Sequence, residues 1–153
     1  MAVKTIFSKP DLDQILAGYS LGEIQGFRAL KLGAVQTNLL VKTTKTKVVF
    51  RYYESRSEKY VLFEINVLRY LKRYKYPCLM PIKSIHGKFI GKYQGKPFAL
   101  FEFIEGVHRK KPDLKLVVQA IGKLHKITAG YKPKCFQARD TYDPKVLLGE
   151  CAL

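Results

Sequence analysis

The chain has 153 residues, of which 47% are hydrophobic, 12% aromatic and 26% charged. That length fits one domain, or one domain with a fragment of a second, and the apolar content is enough to bury a core, which excludes general disorder. Lys and Arg number 28 against 12 Asp and Glu, a net charge of +16. Such a field draws polyanions, whether nucleic acid, phosphorylated metabolites or an anionic membrane surface, without choosing among them.

The three cysteines, Cys78, Cys135 and Cys151, are odd in number and lack CxxC spacing. They supply neither a disulfide framework nor a four-thiolate zinc site, and free thiols in a reducing cytoplasm are expected. His86, His108 and His125 fall in no HExxH or other metal spacing, so no metal site is expected. Lys4, Lys9, Asp11 and Asp13 interrupt the apolar core that a secretory signal needs. The longest apolar runs are too short to span a bilayer. A cytoplasmic chain without membrane association is the expectation.

In chain order, Ser8 with Asp11 predicts a capped helix whose apolar positions are Leu12, Ile15, Leu16 and Tyr19. Gly18, Ser20 and Gly22 stop it. From Glu23 to Glu54 the pattern turns to short strands, with Asn38–Thr44 and Lys47–Glu54 forming an antiparallel hairpin. A helix follows over about 57–74, with Val61, Ile65, Leu68 and Leu71 at helical spacing and Tyr76-Pro77 ending it. Three extended segments come next, Ile82–His86, Phe89–Tyr93 and Pro97–Ile104, punctuated by Gly87, Gly91 and Gln94-Gly95. Pro112-Asp113 opens a last helix, with Leu114, Val117, Val118, Ile121 and Leu124 on one face. Hairpin-joined strands favour an antiparallel sheet, hence an α+β fold.

Four features carry candidate chemistry. Arg51 shares a strand face with Val49 and Tyr53, which is either an edge arginine reaching solvent or a phosphate-binding cation on a rigid strand. Glu64 lies on or beside the apolar face of its helix and needs a cationic partner there, with Arg51 the candidate. The turn Gly33-Ala-Val-Gln-Thr-Asn38 is small and polar, suited to presenting backbone N–H groups to phosphates, although it is neither GxxxxGK[ST] nor GxGxxG and equally suits an ordinary hairpin loop. Phe98–Gly106 runs an apolar strand into a Glu-Gly turn, as a core strand or as an inter-lobe hinge.

Taken in this order, the four features resemble the nucleotide-binding lobe of the aminoglycoside phosphotransferase and choline kinase superfamily, most of all its protein-kinase-like bacterial homoserine kinases. The similar text includes Leu21-Gly-Glu23, Thr37–Thr43, Phe50-Arg-Tyr-Tyr-Glu54, Phe63-Glu64, Gly95–Gly106 and the helix around Ala120–His125. The resemblance implies a protein-kinase-like N-terminal lobe over 1–105, with an N-terminal helix, an antiparallel sheet of about five strands and the packed helix 57–75. It also implies that 106–153 is the hinge exit and the incomplete start of a second lobe. On this resemblance Arg51 grips ATP phosphates and Glu64 pairs with it. Gly33, Thr37 and Asn38 belong to the loop over the phosphates, with Gln36 where relatives often carry Asn. Phe101 backs the adenine, and the Glu102 carbonyl and Ile104 amide bind its edge.

Kinases of this type also need an HxDxxxxN-like loop and a later metal-binding Asp. No such loop occurs: His86, His108 and His125 are followed by Gly-Lys, Arg-Lys and Lys-Ile, and Asp113, Asp140 and Asp143 lack the context. The implied function is therefore the ATP-binding lobe of a kinase acting on homoserine, an amino alcohol or an aminoglycoside, inactive by itself, with no catalytic residue assigned and Mg2+ expected only with the missing lobe. The alternative is a non-catalytic nucleotide- or partner-binding remnant of the fold. A basic nucleic-acid-binding module is a third reading. The basic residues are spread from Lys4 to Lys145 without a recognisable signature, so they read as a solvated surface and nucleic acid is not expected as a partner.

Overall fold

The computed structural model describes residues 4–30, 35–106, 111 and 113–132. Helix α1 spans Lys9–Leu16 and starts on the capping box expected at its head: the Ser8 N–H and hydroxyl both donate to the Asp11 carboxylate, and the Ser8 side chain accepts from the Asp11 N–H. These exchanges satisfy backbone donors that a helix start leaves open. Five strands follow around one further helix: β1 Ile24–Ala29, β2 Thr37–Thr43, β3 Lys47–Tyr52, helix α2 Glu58–Arg73, β4 Ile90–Tyr93 and β5 Lys96–Glu102. All neighbours are antiparallel, in the order β1-β2-β3-β5-β4. The Gln94-Gly95 turn joins β4 to β5 with both residues at positive φ (46° and 78°), the geometry whose twist matches a two-residue hairpin. Gly91 also allows a close approach, because a Cβ there would lie 2.2 Å from the Phe98 ring.

Alternation along the central strand β3 splits the interior in two. Val48, Phe50 and Tyr52 face one side, packing with Phe7, Leu12 and Leu16 of the N-terminal segment. Val49 faces the other side, as does Tyr53 just beyond the strand, and they pack with Phe101, Ala99 and, from α2, Val61 and Ile65. The result is α1, sheet and α2 in three layers, each apolar face covered.

The expected strand Ile82–His86 does not form. Pro81 makes one isolated bridge to Phe101, and the Ile82 N–H donates to the Leu100 carbonyl. The chain then turns at Ser84–Gly87, with Gly87 at φ 75°. Pro81 has no N–H to extend a ladder, and Ile82 and Ile85 are spaced by three, so no period-2 face exists. The last strand also ends at Glu102, two residues before the expected Ile104.

Helix α3, Leu114–Thr128, begins on Asp113, whose carboxylate accepts from the Lys115 and Leu116 N–H groups. Tyr70 and Tyr76 tie it to the α2 region through hydrogen bonds to the carbonyls of Ile127 (3.2 Å) and Ala120 (3.3 Å). Leu114, Val117, Val118 and Ile121 fall on one face as expected, but that face is exposed among the described residues. No described helix is long and apolar enough to cross a membrane.

Glu54, just after β3, fastens distant parts of the chain. Its carboxylate accepts from the Thr5 N–H and hydroxyl, the Thr37 hydroxyl and the Lys96 ammonium, at 2.7–3.0 Å. Burial alone would raise the pKa of this carboxyl, but those hydrogen bonds outweigh it and hold the value at about 2, below the ordinary 4.5. A carboxyl depressed in the folded state contributes stability above its unfolded pKa and loses it as pH falls through the folded one. The stability of the wild type is therefore expected to fall between about pH 5 and pH 2. Glu54→Gln should lose about 1–3 kcal/mol at neutral pH and show a flatter acid limb in urea unfolding followed against pH.

Candidate functional site

Directly paired residues of an antiparallel sheet share a face, so register decides what surrounds Arg51. One cross-sheet row reads Asn38, Arg51, Ala99, Ile90, and the next reads Arg28, Leu40, Val49, Phe101. Arg51 thus rises from the central strand between a polar neighbour on β2 and the apolar floor of β5, under α2. Its Nε donates to Asn38 Oδ1 (3.0 Å), its Nη1 donates to Glu64 Oε1 (2.5 Å), and its guanidinium carbon lies 5.1 Å from the Phe101 ring centroid. Tyr53, two residues along the same face, donates its hydroxyl to Glu64 Oε2 (3.0 Å).

Every oxygen of Glu64 therefore has a donor, and the pair sits at the edge of the interior: the side chains are 24% and 25% exposed. Burial, reinforced by the Glu64 charge and only partly opposed by Arg51, pushes the Tyr53 hydroxyl far above its ordinary range, so it stays a donor to Glu64. A guanidinium has five N–H donors. Asn38 and Glu64 accept from two of them and the Tyr53 hydroxyl lies close by, and the planar fork that carries the rest suits phosphate or carboxylate oxygens.

Arg51 and Glu64 come together as expected. Asn38, expected over the phosphates, is a direct partner of Arg51, while its amide N donates to the Gln36 carbonyl (3.3 Å). Thr37 is buried with its hydroxyl given to Glu54, so it does not join the group around Arg51. Gly33 lies outside the described residues. Phe101 is fully buried and meets the Arg51 guanidinium. Glu102 pairs with Val48 but sends its N–H the other way, to the Met80 carbonyl (2.9 Å), and both Glu102 and Ile104 are exposed where the chain leaves the sheet. Sequence reasoning missed the Tyr53 hydroxyl on Glu64 and Asn38 on Arg51. The first was signalled by Tyr53 sharing the face of Arg51, whereas the second depends on register. Among the described residues no three His, Cys, Asp or Glu side chains gather as a metal site.

A five-stranded antiparallel sheet, a helix across one face and a strand arginine paired to a helix glutamate define the N-terminal lobe of a kinase-like phosphotransferase. The sequence profile of the Phosphotransferase enzyme family matches residues 26–147, and the chain belongs to that family. It is similar to the homoserine kinase of Allorhizobium ampelinum, with 32% identity over 135 residues, covering 86% of this chain and 42% of that protein. The homoserine kinase of Agrobacterium fabrum is 30% identical over 138 residues, covering 88% and 43%. The fold is also similar to the microcompartment-associated aminopropanol kinase (TM-score 0.75, 14% identity, 95% of this chain and 48% of that one). An amicoumacin kinase solved with AMP-PNP, Ca2+ and Ami is comparable (TM-score 0.73, 17% identity, with the same shares). The chain spans less than half the length of these relatives.

Arg51 and Glu64 are expected to be energetically coupled. In a double-mutant cycle by urea unfolding, Arg51→Ala and Glu64→Ala should show a coupling of about 1–2 kcal/mol, with Tyr53→Phe costing about 1 kcal/mol. Additive single losses would mean that the pair holds nothing together.

Proposed function

We propose that this chain is the nucleotide-binding lobe of a small-molecule kinase, one that transfers the γ-phosphate of ATP to a hydroxyl of a homoserine, amino-alcohol or aminoglycoside-type acceptor. The observation that carries the reading is the Arg51 guanidinium, oriented by Glu64, Asn38 and the Phe101 ring with N–H groups to spare. A cation fixed in this way needs no reorganisation to meet a polyphosphate, and oriented charge of this kind is what phosphoryl transfer asks of its protein. Two facts about relatives support ATP: the matched curated relatives are homoserine kinases, and the amicoumacin kinase was solved with AMP-PNP.

In this reading Arg51 holds phosphate oxygens, Glu64 keeps the guanidinium aimed, and Asn38 fixes its other edge. The exposed backbone at Glu102 and Ile104 offers a carbonyl and an amide to the edge of a base, next to the sheet face that carries Leu40 and Val49. Asn38, at the start of β2, keeps its side chain beside the guanidinium where the phosphates would lie. Bound Mg2+ would neutralise phosphate charge, and its ligands would come from outside the described residues. The sequence has no HxDxxxxN loop, so the 153-residue chain is expected to bind nucleotide without transferring phosphate.

Titration of ATP, GTP and tripolyphosphate at two salt concentrations tests this. The chain should bind ATP weakly, with little dependence on Mg2+ and with strong salt sensitivity. Arg51→Ala should weaken ATP binding about tenfold, as expected for one charge-assisted contact, while Lys59→Ala, which removes a charge elsewhere, should not. Equal binding by wild type and Arg51→Ala would remove the proposal.

A further inference from the structure

The charges are unevenly distributed along the chain and more so in space. From Ile65 to Phe101 there is no Asp or Glu but there are eight Lys or Arg, and from Leu114 to Lys132 there is again no acid but there are four Lys. The fold lays the beginning of the first stretch beside the middle and end of α3, through the Tyr70 and Tyr76 hydrogen bonds to Ile127 and Ala120. Two adjoining cavities of about 510 and 500 Å³ open there and share Tyr70 as a wall. Arg69, Arg73 and Lys132 line the first, and Lys123 and Lys126 line the second. None of these five forms an ion pair among the described residues.

Between the cations stand tyrosine rings. Tyr70 packs against Tyr74 and Tyr131 at centroid distances of 5.0 and 4.7 Å. Tyr70 is anchored by its hydroxyl, whereas Tyr74 is 52% exposed and has ring surface to offer. A positive groove with aromatic faces in it is the arrangement that holds a nucleotide strand: phosphates follow the cations and bases stack on the rings. A membrane surface would ask for an apolar face beside these cations, whereas the exposed apolar face of α3, Leu114, Val117, Val118 and Ile121, is turned away from Lys123 and Lys126 by helical spacing. An acidic peptide would use the cations and leave the rings idle.

We propose that the groove between the C-terminal ends of α2 and α3, built on Tyr70, Tyr74 and Tyr131 and rimmed by Arg69, Arg73, Lys123, Lys126 and Lys132, binds single-stranded nucleic acid. The basic residues look diffuse along the sequence, and the fold is what collects them. The site is separate from Arg51 and Glu64 and does not depend on nucleotide binding there.

The test is fluorescence anisotropy of the 153-residue chain with a labelled oligouridine of about 12 nucleotides, measured across a salt series. The wild type should bind with affinity that falls steeply with salt. Arg73→Ala/Lys126→Ala should lower the slope of log K against log salt by roughly 1.4, two single-strand phosphate contacts. Tyr74→Ala should weaken binding about 5- to 100-fold with the slope unchanged, the signature of lost stacking. Lys59→Ala/Lys88→Ala, carrying the same charge change away from the groove, should bind as the wild type does. The proposal is overturned if the Lys59/Lys88 control loses as much as Arg73/Lys126, if Tyr74→Ala has no effect, or if tripolyphosphate or a duplex of equal length competes as well as the single strand.

Discussion

The arrangement around Arg51 depends on one ion pair between a strand and a helix. An arginine side chain three-quarters withdrawn from water on the central strand is costly unless something opposite in charge stands above it. Glu64 is that group, and it can be there only if α2 crosses this face of the sheet in one rotation, with Val61 and Ile65 down and Glu64 at the margin. Hydrophobic burial accounts for the helix packing on the sheet. The ion pair, completed by Tyr53 and Asn38, specifies how it packs. The same requirement leaves a cation with donors beyond those two bonds, held on a rigid strand at the margin of the interior.

Much of this was legible in the sequence because it is local or periodic. The alternation of Val48, Phe50 and Tyr52 against Val49, Arg51 and Tyr53 assigned the two faces of β3 before any neighbour was known. Helical spacing put Glu64 beside Val61 and Leu68, and the need for a counter-charge pointed back to Arg51. What was not legible is set by register and by distance along the chain. That Asn38 rather than another β2 residue stands opposite Arg51 follows from the pairing of two strands. The Glu54 carboxylate gathers Thr5, Thr37 and Lys96 from both ends of the lobe, which no spacing rule foresees. The segment after Pro81, expected to be extended over Ile82–His86, is limited to a single bridge by the missing proline N–H and the Gly87 turn.

Electrostatics bear on both proposed sites. The acids of the folded lobe are largely committed: Asp13, Glu54, Glu58, Glu64 and Glu105 each sit in an ion pair. Pairing concentrates the uncompensated charge on surfaces where acids are missing from the sequence, the ends of α2 and α3 above all. A large net charge thus resolves into one cation held by a glutamate in the sheet and a separate open basic groove, two environments with different chemistry.

The most direct measurement of the central claim is nitrogen-15 NMR of the Arg51 guanidinium during addition of ATP. If Arg51 is the phosphate clamp, its Nε resonance shifts progressively and saturates with the binding isotherm. Glu64→Gln would broaden that resonance before nucleotide is added, because the guanidinium loses its charged partner. An Arg51 resonance that stays fixed while ATP binds, with shifts confined to Arg69, Arg73 and their neighbours, would contradict the claim and place the nucleotide elsewhere on the surface.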